Sequence, residues 1–584
     1  ERLVSSQDRR LYTASEKAMF LGQLKKGHPN IRHLSSGHGV IGFVRFTQGY
    51  YVHLLTKRSA EPVGMIGGHR IYAALGTALF SVAPSPPRSS MESRCKSSYA
   101  SLDLGKGDCY FSYTYDLTNT LQENVAARAR AREAGTLAAP CNDRFIWNAH
   151  AMQGLQYSVG VPSAWLLPLI HGYFEQLGIR TSKGRELTLT LVARRSRHFA
   201  GTRFNRRGSD VCGNVANEVE TEQLLCEQLS VGNDAGMCTS LVQVRGSIPL
   251  HWSHFNLRAP KPGFRLYHTD AAFEAARRHF KNLGQRYGGP IASLNLIRQQ
   301  EPDPKEQILL HEYERCIPYL NRQRAKKATS GARRKTSVVT MAGAASGSAA
   351  RHGASGEARA AEAERRRLAM LEPIRYMAYD FNTNAKTPGV DVLAQVTNLA
   401  QGLVESTGFF YTKWCASGGA DDGDRVGGDE GTTVRRPQPE WAAVNQTGIV
   451  RTNCVDCLDR TNAAQFCIGN SVLERQLEVL GCRLQPSSAD TLWPQLMKMW
   501  ARHGNKMGQQ YAGSGAMHSL SLGGRKQAKK AKKKQKQKRK GKGKTVAEKM
   551  EFEDALDALM IREKNANTEG EQQEEQEEEE EEEE

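Results

Sequence analysis

The stretch that decides the fold is TGIVRTNCVDCLDRTNAAQF, residues 447–466. Its first part, TGIVRTN, is rich in β-branched residues and predicts a strand. Behind it Phe466, Leu473, Leu477 and Leu480 recur at helical spacing, and Gly481 supplies a C-terminal stop. The predicted order is strand, tight loop, helix. A loop so placed can aim successive backbone N–H groups and the positive end of the helix into one concavity, an arrangement suited to a phosphate.

Three chemistries compete for the loop itself, RTNCVDCLDR (451–460). A zinc site needs a second close pair of Cys or His ligands beyond Cys454 and Cys457, and the next cysteines, Cys467 and Cys482, fall within the helical pattern. A redox CxxC pair wants an electropositive surround, whereas Asp456 and Asp459 supply the opposite. The third reading takes Cys454 and Arg460 together as C-x5-R, a thiolate nucleophile with a planar fork that grips two phosphate oxygens. An isolated C-x5-R also arises by chance, so the spacing alone is a weak signal.

Magnitudes say what the third reading requires. Bringing a thiol from about 8.5 to about 5.5 takes about three pKa units, roughly 4 kcal/mol. A helix dipole supplies about 0.3 to 1 kcal/mol, at most about 2. The remainder has to come from converging N–H groups, from Arg460 and from the Thr461 hydroxyl donating to sulfur. Two ionised aspartates aimed into the pocket would undo this, so at least one has to point away or be held protonated. A protonated aspartate beside the loop has a use: it can give its proton to the departing alkoxide of a phosphate ester. The implied reaction is ping-pong hydrolysis through a cysteinyl phosphate.

The rest of the chain sets the frame. Its 584 residues predict roughly two to three domains of about 150 residues. The net charge of +18 and isoelectric point near 9.3 favour anionic partners without choosing among nucleic acid, membrane and phosphorylated substrate. Twelve scattered cysteines and the absence of a secretory leader pattern suit free thiols in a reducing compartment. The apolar runs at 71–83 and 164–170 are short of the roughly 20 residues of a bilayer span, so membrane contact is expected to be peripheral. The chain opens on Glu1-Arg2 without an initiator methionine, which points to a longer natural N-terminus.

Between about 40 and 150, runs such as VIGFVRF, YYVHLLTK and CYFSYTYDL predict a mainly β module. From about 160, strands such as LTLTLVAR and ASLNLI alternate with amphipathic stretches such as DVLAQVTNLAQGLVESTG, which predicts an α/β sheet with helical cover. The predicted organisation is a subdomain over 1–155, a catalytic α/β subdomain over 156–520 and a charged, largely disordered tail over 521–584. Residues 322–370 and 416–438 read as low-complexity inserts, the first a mobile one. The tail holds a lysine block, a short helix candidate (TVAEKMEFEDALDALMIREK) and a polyglutamate end. No aromatics interleave with those lysines, so the block predicts non-specific electrostatics toward anionic lipid or its own acidic end, not specific nucleic-acid binding.

The 447–466 stretch closely resembles the RxNCxDCLDRTN signature of SAC-domain phosphoinositide phosphatases. Further resemblance lies in the Arg-rich block and NEVETEQ box (193–225), in SLVQVRGSIPLHW (240–252) and in RYGGPIASLNLI (286–297). YYVHLLTKR (50–58), IGGHRIY (66–72), FSYTYDLTNTLQ (111–122) and RFIWNAHAM (144–152) extend it toward the N-terminus, so that it covers about 38–517. Within the family the text is most similar to the polyphosphoinositide phosphatase branch, which removes the 5-phosphate of phosphatidylinositol 3,5-bisphosphate.

The resemblance implies Cys454 as nucleophile, Arg460 as phosphate ligand, and Asp459 or Asp456 as the acid, with Asp459 favoured beside Arg460. Asn453 and Thr461 are candidate substrate ligands, and Arg194, Arg195, Arg197, Arg203, Arg206 and Arg207 candidates for a basic wall facing head group and membrane. Cys457 reads as an interior filler, and no metal ligand set is predicted. The mechanism requires no cofactor and is compatible with Mg2+ stimulation. Two positions depart from the family pattern, Asn382 where His is common and Asn505 where Asp is usual. The branch further implies a peripheral place on endosomal or vacuolar membranes and assembly with a phosphatidylinositol 3-phosphate 5-kinase and a helical-repeat scaffold protein. A weakly active or inactive scaffold of such a complex is the alternative function.

Overall fold

The computed structural model describes residues 14–515 apart from 31–34, 84–88, 134–140, 159–165, 182–183, 228–234, 256–262, 268–269, 300–304, 343–370, 388–389, 416–443 and 483–485. The predicted insert 416–438, the part of the first insert beyond 342, and the tail over 521–584 with its helix candidate lie outside the described residues. The architecture is mixed α/β, as expected, in two compact units that divide at Gln176/Leu177.

In the first unit, β1 (Gly39–Arg45), β2 (Tyr50–Arg58), β3 (Gly64–Ile66), β4 (His69–Ser81) and β5 (Cys109–Phe111) pair antiparallel, with the start of β6 (Ile170–Arg180) next to β5. Helices α1 (Ala14–Gly27), α2 (Ser90–Ala100), α3 (Leu121–Glu133) and α4 (Ala149–Ser158) accompany them. Ile41, Leu55, Tyr72, Phe111, Leu167 and Leu169 form one core of this unit. Asn148, from the RFIWNAHAM stretch, pins that core: its Nδ2 donates to Ile41 O (2.7 Å) and Leu167 O (2.8 Å), and its Oδ1 accepts from Leu169 N (2.9 Å). CYFSYTYDL is a strand only through Phe111. Beyond it the Asp116 carboxylate accepts from Thr118 N (2.9 Å) and Asn119 Nδ2 (2.8 Å), which turns the chain away from the ladder.

The second unit holds β7 (Glu186–Arg195), β8 (Val219–Glu227), β9 (Ala235–Arg245), the hairpin β10 (Trp252–Phe255) and β11 (Gly263–Leu266), β12 (Ile291–Asn295), β13 (Arg375–Ala378), β14 (Phe410–Cys415) and β15 (Ile449–Asn453). Its helices are α5 (Glu274–Tyr287), α6 (Lys305–Ala342), α7 (Phe381–Lys386), α8 (Val392–Thr407), α9 (Asp459–Val479) and α10 (Pro486–Ala512). The strand order is β7-β8-β9-β15-β12-β13, with β14 also on β9. β7, β8 and β9 run antiparallel, whereas β9, β15, β12 and β13 run parallel. The amphipathic stretch 391–408 is α8: the Asp391 carboxylate accepts from Ala394 N (3.0 Å), and Val396, Ala400, Leu403 and Val404 are buried along one face. Among the described residues no helix is long and apolar enough to cross a membrane.

The NEVETEQ box makes sense on β8, where side chains alternate between faces. Toward one face, Glu220 and Glu222 bind the Arg194 guanidinium at 3.0 and 2.5 Å, and Glu218 pairs with Arg286 at 2.6 Å just before the strand. Toward the other, Gln223 Nε2 donates to Gly469 O of α9 (2.9 Å) and to Gln476 Oε1 (3.0 Å).

Two expectations change. Helix α6 continues through 322–342, where composition predicts a mobile insertion; the alanines, arginines and lysines that make this segment poor in core residues are also good helix formers. Free thiols are expected throughout, yet Cys226 and Cys238 stand opposite each other in the β8–β9 ladder and are disulfide-bonded.

Candidate active site

The site is assembled at the carboxyl ends of the parallel strands, where open α/β sheets place ligands. Register pairs Arg245 with Thr452 and Asn295 with Asn453, so β9, β15 and β12 end level. The ends are tied laterally. Asn453 Nδ2 donates to Asn295 Oδ1 (2.6 Å), and Arg451 Nη1 donates to Asn453 Oδ1 (2.7 Å). Arg451 Nε donates to His279 Nε2 (3.1 Å). Burial, helped by the charge of Arg451, draws His279 down to about 3, so its ring is neutral and its Nδ1–H donates to Gly213 O (3.0 Å). Asn453 is a fully buried member of this tie.

Beyond Asn453 the chain makes a tight loop, Cys454 to Leu458, and enters α9 at Asp459. Cys457 sits in the left-handed region at φ +51°, which turns its N–H onto Cys454 Sγ at 2.9 Å. From the first turn of α9, Thr461 Oγ1 donates to the same sulfur at 3.3 Å. Cys454 is only 2 % exposed. Burial pushes its thiol up, but the Cys457 hydrogen bond, the charge of Arg460 and the Thr461 hydroxyl outweigh it and bring the thiol down to about 6. Cys457 moves the other way, driven up by burial and by its bond to Cys454, and its S–H donates to Cys454 O at 3.0 Å. It is therefore more than a filler: its backbone and its thiol both fix the loop. Asn217, first residue of the NEVETEQ box, supports the outer side by donating from Nδ2 to Asp456 O (3.4 Å) and Cys457 O (3.3 Å).

Arg460 donates from Nη1 to Leu296 O (2.8 Å), and its fork faces the Glu306 carboxylate at 3.3 and 3.4 Å. Although burial opposes its charge, Glu306 and then Cys454 hold it firmly protonated. Asp456 is bound by Arg207 at 2.5 Å. Burial would raise its carboxyl, yet the Arg207 charge and hydrogen bond leave it below the usual carboxylate range. Arg207 in turn donates to Arg203 O (3.0 Å) and Val455 O (2.9 Å) and lies between the rings of Trp252 and Tyr511. Asp459 is half-buried at the start of α9, next to Arg460.

The arginine block divides by face and by position. Arg194 is fully buried in its pair with Glu220 and Glu222, which takes it out of the expected outward wall. Arg195, on the opposite face of β7, is buried and donates to Gln510 O (3.2 Å). Arg197 and Arg203 are half-buried and Arg206 is exposed; Arg203 lies over Phe204, and Arg206 over Phe199. Arg207 reaches the loop, donating to Val455 O (2.9 Å) and Asp456 Oδ1 (2.5 Å). Asn505 is half-buried on α10; Asn382 lies in α7, and its side chain is outside the described residues.

Sequence reasoning missed Glu306, Asn217 and Arg245. Asn217 and Arg245 belong to blocks that the resemblance marks, NEVETEQ and RGSIP, so a signal existed for both. Glu306 stands 154 residues from Arg460, and no local pattern joins them.

The SacI homology domain matches residues 38–386. The chain belongs to the SacI homology domain family. Among its curated relatives are a polyphosphoinositide phosphatase of Schizosaccharomyces pombe, 34 % identical over 83 % of this chain and 50 % of the relative, and two proteins of Arabidopsis thaliana. These are a phosphatidylinositol-3-phosphatase, 31 % identical over 88 % of the chain and 56 % of the relative, and a phosphoinositide phosphatase, 30 % identical over 90 % and 63 %. The chain thus spans half to under two-thirds of the length of these SacI-domain relatives. The family-model match itself ends at residue 386, before the cysteine loop, whereas the relatives align over 83 to 90 % of the chain.

Proposed function

We propose that this SacI-domain protein is a phosphoinositide phosphatase that hydrolyses a phosphate monoester of the inositol head group, with the 5-phosphate of phosphatidylinositol 3,5-bisphosphate as its substrate. The observation that carries the reading is the Cys454 sulfur, which accepts from Cys457 N–H and Thr461 O–H and is drawn toward thiolate beside Arg460. The names of the relatives, polyphosphoinositide phosphatase among them, support the substrate class.

In the first step Cys454 Sγ attacks phosphorus; the S–P bond forms, the P–O bond to inositol breaks, and Asp459 gives its proton to the leaving alkoxide. In the second, water attacks the cysteinyl phosphate, the now ionised Asp459 takes the water proton, and the thiolate departs from inorganic phosphate. Asp459 takes this role because Asp456 is committed to Arg207 as a carboxylate. Arg460 and the N–H groups at the start of α9 carry the charge of the equatorial oxygens. Arg203 and Arg206, with exposed Phe204 between them, suit a peripheral approach to an anionic leaflet, endosomal or vacuolar in this reading. No step needs a cofactor, and EDTA and Mg2+ titrations test stimulation.

One observation favours a scaffold as second reading: the Arg460 fork is occupied by Glu306 and Leu296 O, and Cys454 is nearly closed off. A kinase and a helical-repeat protein are the partners in that case. The deciding experiment is phosphate release by the purified chain from a panel of mono- and bisphosphorylated inositol lipids, alongside Cys454→Ser. Release abolished by the substitution supports the enzyme; no release by either protein, with a kinase complex still captured, supports the scaffold.

A further inference from the structure

Arg245 ends β9 level with Thr452, two residues before Cys454. Its face of the sheet is the one α9 covers, because Gln243, two positions back on the same strand, donates to Gln465 O within α9 (3.1 Å). The guanidinium therefore enters the space under the cysteine loop. It is fully buried, and none of its three nitrogens reaches a hydrogen-bond acceptor among the described residues. Arg194, on the other face of the same sheet, shows the usual solution for a buried arginine, two glutamates on one guanidinium. Leaving the five donors of a buried guanidinium without a hydrogen-bond acceptor is among the costliest arrangements a core can contain, and a fold keeps one where function uses it.

The groups that face Arg245 define that use. Cys457 and Cys454 approach from the loop, Asp459 from α9 and Arg195 from β7. His503 approaches from α10, and burial keeps its ring neutral. Burial draws Arg245 itself down to about 10, which leaves it protonated at neutral pH. Arg460 and Asp456 act on Cys454 with opposite charge.

We propose that Arg245 is a positioning residue of the site, a buried cation with no hydrogen-bond acceptor among the described residues, whose charge is matched when Cys454 ionises and a phosphoryl group is loaded on it. The proposal rests on Cys454 as the nucleophile. It differs from a structural role in a measurable way: an arginine that makes no bonds contributes no bonds to lose, so its removal should help the fold and harm the thiolate.

The test uses the full chain with Arg245→Met, which keeps length and removes charge, and Arg245→Lys. Two quantities are read, the thermal midpoint and the pH dependence of iodoacetamide alkylation on the peptide containing Cys454. Arg245→Met is expected to melt at or above the parent temperature while its alkylation midpoint moves up by about one pH unit, about tenfold slower labelling below the midpoint. Arg245→Lys should recover most of that shift. An unchanged alkylation midpoint in folded Arg245→Met overturns the proposal, and so does an Arg245→Met that is destabilised or fails to fold. Alkylation reads the thiol and not turnover, so a parent chain that releases no phosphate from any lipid would sink the phosphatase reading and leave this result separately legible.

Discussion

Asp459 and Asp456 differ by three positions and by environment, and replacing each with asparagine separates their roles. Asp456 is held as a carboxylate by Arg207 at 2.5 Å, while Arg207 keeps two carbonyl partners of its own, Arg203 O and Val455 O. Asp456→Asn therefore removes an ion pair whose acidic partner is 43 % exposed, and screening limits the loss to about 1 kcal/mol of loop stability, or about fivefold in kcat/KM. Asp459→Asn removes the proton donor. General acid catalysis is worth about 100- to 10,000-fold for a leaving group as basic as an inositol alkoxide, and close to nothing for p-nitrophenolate, which departs unaided. The assay compares kcat/KM, which reports the phosphoryl transfer to Cys454 and not the later attack of water, on a phosphoinositide with that on p-nitrophenyl phosphate for parent and both variants. Asp459→Asn should lose at least about 100-fold on the lipid and less than about fivefold on the activated ester, whereas Asp456→Asn should lose about the same small factor on both. A loss that depends on the leaving group in Asp456→Asn but not in Asp459→Asn would refute the reasoning, and would mean that substrate displaces Asp456 from Arg207 and lets it protonate.

Thr461→Val deletes the hydroxyl that donates to Cys454 Sγ at 3.3 Å, a charge-assisted bond worth about 1.5 kcal/mol, or about one pKa unit. Cys454 reacts as thiolate, so labelling rises with pH through its midpoint, near 6 in the parent; with the donor gone the midpoint should move up, and an unmoved midpoint would show that the hydroxyl does not serve the sulfur. Glu306→Gln removes the charge that steadies the Arg460 fork and should lower kcat/KM by about tenfold with little change in melting temperature; unaltered kinetics would contradict a positioning role. Arg194→Met leaves Glu220 and Glu222 buried without their shared cation and should cost about 3 kcal/mol in denaturant unfolding, while kcat per folded molecule stays near the parent value. Cys457→Ser keeps the backbone N–H on the nucleophile and a donor for Cys454 O, so activity within about threefold is expected, and loss of activity together with bound zinc would restore the metal reading.

Local pattern made the strand, loop and helix around Cys454 legible, because β-branched residues, helical spacing and a glycine stop act over a few residues each. Gly481 does take a left-handed conformation at the end of α9. Thr461 reaching the sulfur also follows from one helical turn. What stayed hidden depends on partners distant in sequence. Arg194 and Arg195 are adjacent in the text and opposite in the sheet, and only the β7–β8 register shows that Arg194 meets Glu220 and Glu222. Only register shows that Asn453 stands level with Asn295, the partner of its Nδ2. Glu306 had no local signal at all, since it acts from α6, and the RGSIP block marked Arg245 without showing that it lies beneath the loop. The low-complexity text over 322–342 was poor in core residues, but helix propensity is a separate property and it continued α6.

The most direct test of the account is covalent trapping. The full chain is mixed with phosphatidylinositol 3,5-bisphosphate carrying a radiolabelled 5-phosphate, stopped within milliseconds by denaturant, digested and analysed by mass spectrometry. A phosphate on the peptide containing Cys454, absent from Cys454→Ser, is the predicted result. Release of labelled phosphate with no label on Cys454, or at the parent rate from Cys454→Ser, would contradict it.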